Sequence, residues 1–341
     1  MKMSNPIGAT LAAFGQRLGG GGGGAVLDLA AEQRLDGRTC LVTGASSGLG
    51  KALAIALAGR GARVLLACRR TDPAIAAEIA HLAGDGVVEM LAVDLTDLAT
   101  VERLCDGLRD RGECVDVLVL NAGVMPRRAR RTAQGLEEMF QVNFLAGVLL
   151  TRRLLQDGVV PNRSLARVES RRDGAAARIV FVASEVHRSA PPIDAATLGD
   201  YVDYNAFTGM RRYAHSKLAV CTYAAELARR LRDGDGVDVA VHAICPGPIA
   251  SNMAREAPVW IKPVLGPAMR LLFAPPAEAA RPLAYLAAAP AIEGQTGLYL
   301  HRSEVKAAAE STGDPERGAR LWDAAWALIE RTRGLTVEAN G

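Results

Sequence analysis

The chain has 341 residues, 50% of them apolar, with a formal net charge of +3 and six cysteines. That length and apolar content suit one large core, or one domain with appendages, and leave little room for a second full domain. So small a charge, with arginine pairs scattered among acids, speaks against nucleic acid as a main partner, and no run reaches the roughly 18 to 20 apolar residues that cross a bilayer.

The cysteines, at 40, 68, 105, 114, 221 and 245, form no C-x-x-C pair. They read as buried free thiols of a reducing compartment, and no metal is expected. No compact apolar stretch with a cleavage site follows Met1, so the cytoplasm is the expected location.

Residues 1–35 stand apart as an N-terminal extension. Ile7, Leu11, Phe14 and Leu18 recur at helical spacing, and the six glycines at 19–24 form a flexible tether. The extension reads as a short helix packed on the body or a partner; a peripheral membrane contact and disorder are the other readings. From Gly37, strand-like runs at 39–43, 62–67, 87–93, 115–120, 178–183 and 237–244 alternate with helical stretches. This pattern predicts a single domain built on a doubly wound parallel sheet of the Rossmann type, with helices on both faces. Right-handed crossovers then bring the strand ends, and any ligand, to one edge.

The first strand runs into Thr43-Gly44-Ala45-Ser46-Ser47-Gly48-Leu49-Gly50, followed by an Ala/Leu-rich helix from Lys51. Glycines in such a turn let a pyrophosphate approach the backbone, and the free N–H groups of the helix start hold the anion. Alone the turn is a weak signal, since its T-G-x-x-x-G-x-G spacing departs from G-x-G-x-x-G.

Where the second strand ends, a cofactor with a free ribose 2'-hydroxyl usually meets an acid; here stand Cys68, Arg69 and Arg70. A guanidinium suits a 2'-phosphate, so the cofactor expected is NADP(H), with Arg69 as its partner and Ser46 and Ser47 as added donors. Asp94-Leu95 closes the third strand, where Asp94 is placed to accept from adenine; the alternative is that Asp94 or Thr96 caps the next helix. Asn121-Ala122-Gly123 closes the fourth, small enough for ribose and nicotinamide to lie on the backbone. The arginines at 127, 128, 130 and 131 read as a solvated loop, or as a contact for an anionic substrate group.

Further along, Asn143 is a polar residue in an apolar helix, either a satisfied core amide or a site residue. The Arg-rich stretch 159–177 reads as a surface insertion. The fifth strand ends in Ser184, and the irregular stretch from there to Tyr213 is expected to wall the substrate pocket. In Tyr213-Ala214-His215-Ser216-Lys217 the phenol and the ammonium share one helix face. A cation beside a phenol favours phenolate, so Tyr213 is expected to have a lowered pKa and to act as a general acid/base. Between Pro246 and Pro276 the chain carries Trp260, Leu265, Met269 and Phe273 among prolines and reads as an apolar lid over the substrate (247–276), with a membrane contact as the other reading. The C-terminal extension, 301–341, ends in a helix-like stretch with Leu321, Trp322, Ala325, Trp326 and Ile329 that folds back on the body or on a partner subunit.

Together TGASSGLG at 43–50, NAG at 121–123, Asn143, Ser184, YAHSK at 213–217 and PGPI at 246–249 resemble the short-chain dehydrogenase/reductase family over residues 36–300. LLACRR at 65–70, LVLNAGVM at 118–125 and RLWDAAW at 320–326 are most similar to its retinol dehydrogenase-like group. The resemblance implies a tetrad of Asn143, Ser184, Tyr213 and Lys217: Tyr213 exchanges a proton with the substrate oxygen, Ser184 holds that oxygen, Lys217 bonds the nicotinamide ribose, and Asn143 supports a water relay. It further implies that Pro246, Gly247 and Ile249 lie along the nicotinamide ring. Ala183 and Ser251 depart from common family choices without removing a reacting group. The expected function is carbonyl–alcohol interconversion on an apolar small molecule, as in a carbonyl reductase, with a homodimer or homotetramer formed through flat helical faces. The rival readings are a non-catalytic NADP(H)-binding sensor or scaffold and, less favoured on glycine spacing, a nucleotide-sugar epimerase.

Overall fold

The computed structural model describes residues 27–84, 86–166, 175–206, 208–234, 236–249 and 274–333. Its centre is an eight-stranded sheet in the order β10-β9-β8-β5-β4-β1-β2-β3. Strands β1 (Thr39–Thr43), β2 (Arg63–Cys68), β3 (Val87–Ala92), β4 (Val117–Leu120), β5 (Ala177–Val182), β8 (Val239–Cys245) and β9 (Tyr299–His301) run parallel, and β10 (Glu304–Lys306) closes one edge antiparallel to β9. The order of strands reverses between β1 and β4, which creates the crevice where doubly wound sheets bind ligands.

Alternation along each strand divides the core in two. Cys40, Val42, Val64, Leu66, Val117 and Val119 face α1 (Gly48–Ala58) and α7 (Pro276–Ala288), with α2 (Pro73–Ala83) packed outside α1. Leu41, Leu65, Leu118, Ile179 and Val241 face the opposite layer of α3 (Leu98–Asp110), α5 (Ala146–Gln156) and α6 (Gly209–Arg230). A final helix, α8 (Pro315–Thr332), lies on α6. The parallel sheet, its two helical faces and its single domain match the sequence reading.

Several local expectations change. The run expected as a strand from 237 is shared between a two-residue hairpin, β6 (Arg232–Asp233) with β7 (Gly236–Val237), and β8. Of the stretch 159–177 expected as a surface insertion, residues 163–165 are exposed and 167–174 lie outside the described residues, but its start belongs to the core: Val159, Val160 and Asn162 are buried, and the Asn162 amide donates to Leu155 O and Val160 O at 2.8 Å each. Asp238 then accepts from the backbone N–H groups of Arg163 and Ser164. The cap of α3 is Asp97, whose carboxylate accepts from Ala99 N at 3.0 Å, and neither Asp94 nor Thr96.

No described helix is long and apolar enough to cross a membrane. The helical spacing at 7–18, the glycine tether and the apolar stretch 250–273 expected as a lid lie outside the described residues. None of the six cysteines forms a disulfide; five are buried and Cys114 is half-buried.

Candidate active site

The site is assembled from the C-terminal ends of β1, β4, β5 and β8 and from the first turns of α6. The glycine turn comes first. Gly44 takes a left-handed φ of 67°, and a side chain there would meet Ala122 Cα at 3.0 Å. At Gly50 a Cβ would strike Gly44 O at 2.6 Å and the Asn121 amide nitrogen at 2.5 Å, so only glycine lets α1 start this close to the turn. Ser47 stands at the N-cap of α1 with no side-chain hydrogen bond to the helix, which leaves the leading N–H groups uncapped by it. Ser46 lies against Cys68 at the end of β2, while Leu49 and Gly50 are buried.

The NAG stretch is clamped to this turn. Thr43 Oγ1 accepts from the backbone N–H of Asn121 and of Ala122, at 3.0 Å each, and the Asn121 amide donates to Thr43 O at 2.8 Å. Asn121 therefore shapes the crevice through its backbone and holds the turn with its side chain. Gly123 is exposed, and a Cβ there would lie 3.4 Å from Asn143 Oδ1 and 3.6 Å from Lys217 Nζ. It is a cradle whose floor is made of two predicted site residues.

A five-residue π-helical turn, Gln141–Leu145, joins α4 (Glu138–Phe140) to α5 and carries Asn143 at its middle. Such turns re-aim a side chain that a regular helix would place elsewhere. Asn143 Oδ1 accepts from Val124 N at 2.7 Å, and Nδ2 donates to Val124 O at 3.0 Å and to Ser216 Oγ at 3.2 Å. It thereby ties the end of β4 to α6. Beside it lies a cavity of about 20 Å³ lined by Thr43, Ala122, Asn143, Val182 and Tyr223 among others, room for one water.

Tyr213 and Lys217 are both buried on the sheet-facing side of α6. Lys217 Nζ donates to Val182 O at 2.8 Å, at the end of β5, and sits 5.7 Å from the centre of the Tyr213 ring. Burial brings the Lys217 pKa down to about 8. Tyr213 does not follow the expectation of a lowered pKa. Burial, with the Cys245 thiol beside it, holds the phenol well above its ordinary value, and a hydrogen bond with the Ser184 side chain offsets only part of this. The loss of solvent sets the direction.

Ser184 follows β5 in extended backbone and opens a short 3₁₀ turn, Glu185–Ser189. Around Tyr213 the apolar wall is Met139 and Tyr204, with Met125, Ala129, Val186 and Met210 against them. Tyr204 donates its hydroxyl to the buried Glu137 carboxylate at 2.9 Å, which fixes the ring as part of that wall. In the basic loop Arg130 pairs with Glu138, and Arg131 stacks on Tyr201 at 3.7 Å.

Arg69 and Asp94 line one groove of about 380 Å³ together with Thr100, Arg103 and Arg111. Asp94 Oδ1 accepts from Thr96 N and Thr96 Oγ1, at 3.0 and 2.8 Å, so part of its capacity is used within its own turn. Leu95 is half-buried against the core. Gly247 has a φ of 80° with the Arg302 side chain laid against it, and Ile249 bridges to Ala274 in parallel. Thus Asn143, Ser184, Tyr213 and Lys217 meet at one crevice with Gly123, the glycine turn forms its floor, and Arg69 and Asp94 stand at the ends of β2 and β3.

Sequence reasoning passed over His187 and the Glu137–Tyr204 pair. Tyr204 was legible only as a large aromatic in a polar stretch, and His187 carries no local signal at all.

The family model for short chain dehydrogenases matches residues 38–194. A Bos taurus protein named dehydrogenase/reductase SDR family member 13 is 33% identical over 90% of this chain and 77% of its own length. Human retinol dehydrogenase 14 is 32% identical over 86% of this chain and 87% of its own. Among solved structures, an uncharacterized protein from Mycobacterium Paratuberculosis has a TM-score of 0.64 at 27% identity, covering 88% of this chain and 96% of that one. By its fold, its motifs and these relatives, the chain belongs to the short-chain dehydrogenase/reductase family of oxidoreductases, in the retinol dehydrogenase-like group.

Proposed function

We propose that this protein is an NADP(H)-dependent reductase of lipophilic carbonyl compounds, with Tyr213 as the general acid/base. One observation carries the reading: a buried phenol, hydrogen-bonded to Ser184 and backed by the Lys217 ammonium, stands at the end of the sheet against an apolar cluster of Met125, Met139, Val186, Tyr204 and Met210.

The cradle fits a dinucleotide. Close backbone approach at Gly44 and Gly50, uncapped N–H groups at the start of α1 and the open face of Gly123 above Lys217 are what a pyrophosphate and a ribose need. When bound, the cofactor supplies the hydride. Arg69, exposed at the end of β2 where no acid stands, supports a 2'-phosphate and therefore NADP(H) over NAD(H).

Tyr213, a phenol and so protonated at neutral pH, is in the state needed to give a proton to a carbonyl oxygen that receives charge. Ser184 donates a second hydrogen bond to the same oxygen, strengthening as that charge grows. Lys217, buried 5.7 Å from the Tyr213 ring and brought down to a pKa of about 8, is the nearby cation that steadies the phenol as it gives up its proton. The methionines at 125, 139 and 210 give the wall an adaptable apolar surface, in keeping with the retinol named for human relatives.

The test is oxidation of NADPH with retinal, decanal and a panel of lipophilic ketones. Activity lost in Tyr213→Phe with NADPH binding retained is the expected result. Thermal stabilisation by NADPH well beyond that by NADH, abolished in Arg69→Gln, checks the cofactor. Equal shifts from both dinucleotides would remove the preference.

A further inference from the structure

We infer that His187 is a positioning residue for Ser184: its Nδ1–H holds the Ser184 carbonyl, and the bond from Ala309 N to Nε2 fixes the tautomer that makes Nδ1 the donor. The inference rests on the reading of Ser184 as a residue that touches the substrate oxygen.

His187 is fully buried three residues beyond Ser184. Its Nδ1 lies 2.7 Å from Ser184 O, and its Nε2 lies 3.0 Å from Ala309 N. A backbone N–H only donates, so Nε2 must offer its lone pair, and the ring proton must therefore sit on Nδ1 and point at Ser184 O. The same carbonyl also accepts from His187 N at 3.1 Å, so one residue holds it twice.

The two flanking side chains repeat the pattern. Glu185 accepts from Tyr299 OH at 2.7 Å and from Arg188 Nε at 3.0 Å, and Arg188 in turn donates to Ala307 O at 2.6 Å. The His187 ring meets the Tyr299 ring edge-on at 5.3 Å. Three of the four residues after Ser184, namely Glu185, His187 and Arg188, are thus fastened to β9 and to the backbone beyond β10. The imidazole is thus a side chain that holds Ser184 O from within the turn, and its bond with Ala309 N sets the tautomer that lets it do so. Placement errors of about 1 Å at a reacting group cost on the order of a hundredfold in rate.

Asparagine and glutamine separate the two bonds. In His187→Asn the amide nitrogen falls near the place of Nδ1 and can still donate to Ser184 O, whereas Ala309 N loses its acceptor. In His187→Gln the amide oxygen reaches the place of Nε2 and the bond to Ser184 is lost. With decanal and NADPH as probes, His187→Asn is expected to keep kcat within about threefold, and His187→Gln and His187→Ala to lose about 10- to 100-fold, KM and NADPH affinity staying near wild type. Equal losses in all three variants, or full kcat in His187→Gln, would overturn the role. Ser184→Ala is the control for the underlying reading: if it keeps wild-type turnover, the serine is not catalytic, whatever the histidine variants do. Independently of turnover, long-range proton–nitrogen NMR of the wild-type imidazole must show an Nδ1–H ring; an Nε2–H ring would falsify the assignment.

Discussion

Lys217 is where the demands of the chemistry and of the fold part company. Its pKa of about 8 in the folded protein lies below its ordinary 10.5 because burial penalises the ammonium. Between those two values the unfolded chain binds more protons than the folded one, so stability rises with pH across that window; below it the buried ammonium carries its full penalty. Buried thiols act the other way. Cys40, Cys105 and Cys221, pushed up to about 12 by burial, stay protonated in the fold while their unfolded counterparts ionise above 9. The observable is therefore a difference: relative to Lys217→Met, the wild type should gain about 3 kcal/mol between pH 8 and 10.5, measured by urea unfolding of both proteins at each pH. The lost bond to Val182 O shifts the two curves by a constant and leaves the slope. Parallel curves would mean that Lys217 is not held in a low-dielectric place.

Glycines at the cofactor floor divide, at the level of the element, into those that make the turn and one that leaves space. A Cβ at Gly50 meets main-chain oxygen at 2.6 Å, so Gly50→Ala should destabilise the protein by about 2–3 kcal/mol and lose dinucleotide binding with it. At Gly123, exposed and without a positive φ, a Cβ has ordinary contacts, and Gly123→Ala should melt within about 0.5 kcal/mol of wild type. Yet the added methyl stands over Lys217 and Asn143, and NADPH affinity in titration should fall at least about tenfold. The glycine turn, the NAG stretch and the YAHSK face were legible because each is a local pattern with a fixed offset from a strand end. The π turn at Gln141–Leu145 was not, since nothing in QVNFL distinguishes it from ordinary helix. Nor were β9 and β10, three residues each, whose pairing is set by the neighbouring strand and not by their own apolar pattern. The lowered pKa expected for Tyr213 failed for a related reason: spacing places a cation near a phenol but says nothing of how dry both become.

A line of rings joins α8 to the π turn and to β5, the two elements that carry Asn143 and lead to Ser184. Trp322 on α8 stacks on Tyr223 at 5.2 Å and 8°, and the Tyr223 ring meets Phe144 in the π turn and Phe181 in β5 edge-on, each at 6.1 Å. Arg152 and Arg230 lie over the Trp322 ring at 4.6 and 4.5 Å, cation–π contacts that close α8 onto α5 and α6. The sequence left open whether this helix would fold on the body or on a partner, and its apolar stripe of Leu321, Trp322, Ala325 and Ile329 goes to the body. The side of α8 left in solvent is charged, with Glu316, Arg317, Arg320, Asp323, Glu330 and Arg331, so any pairing of subunits through this region must use a polar surface and not the apolar face of α6. Trp322→Ala should cost about 3–5 kcal/mol, since it opens a void under Tyr223 and removes the ring from beneath two guanidinium groups. The loss should appear as a lower urea midpoint with an unchanged slope, because the same surface is exposed on unfolding. Turnover per folded molecule should stay near wild type, since Trp322 is not among the residues that fasten the turn after Ser184. A variant that kept its midpoint but lost kcat would show that the ring line, and not the histidine brace, sets the geometry of the reacting groups.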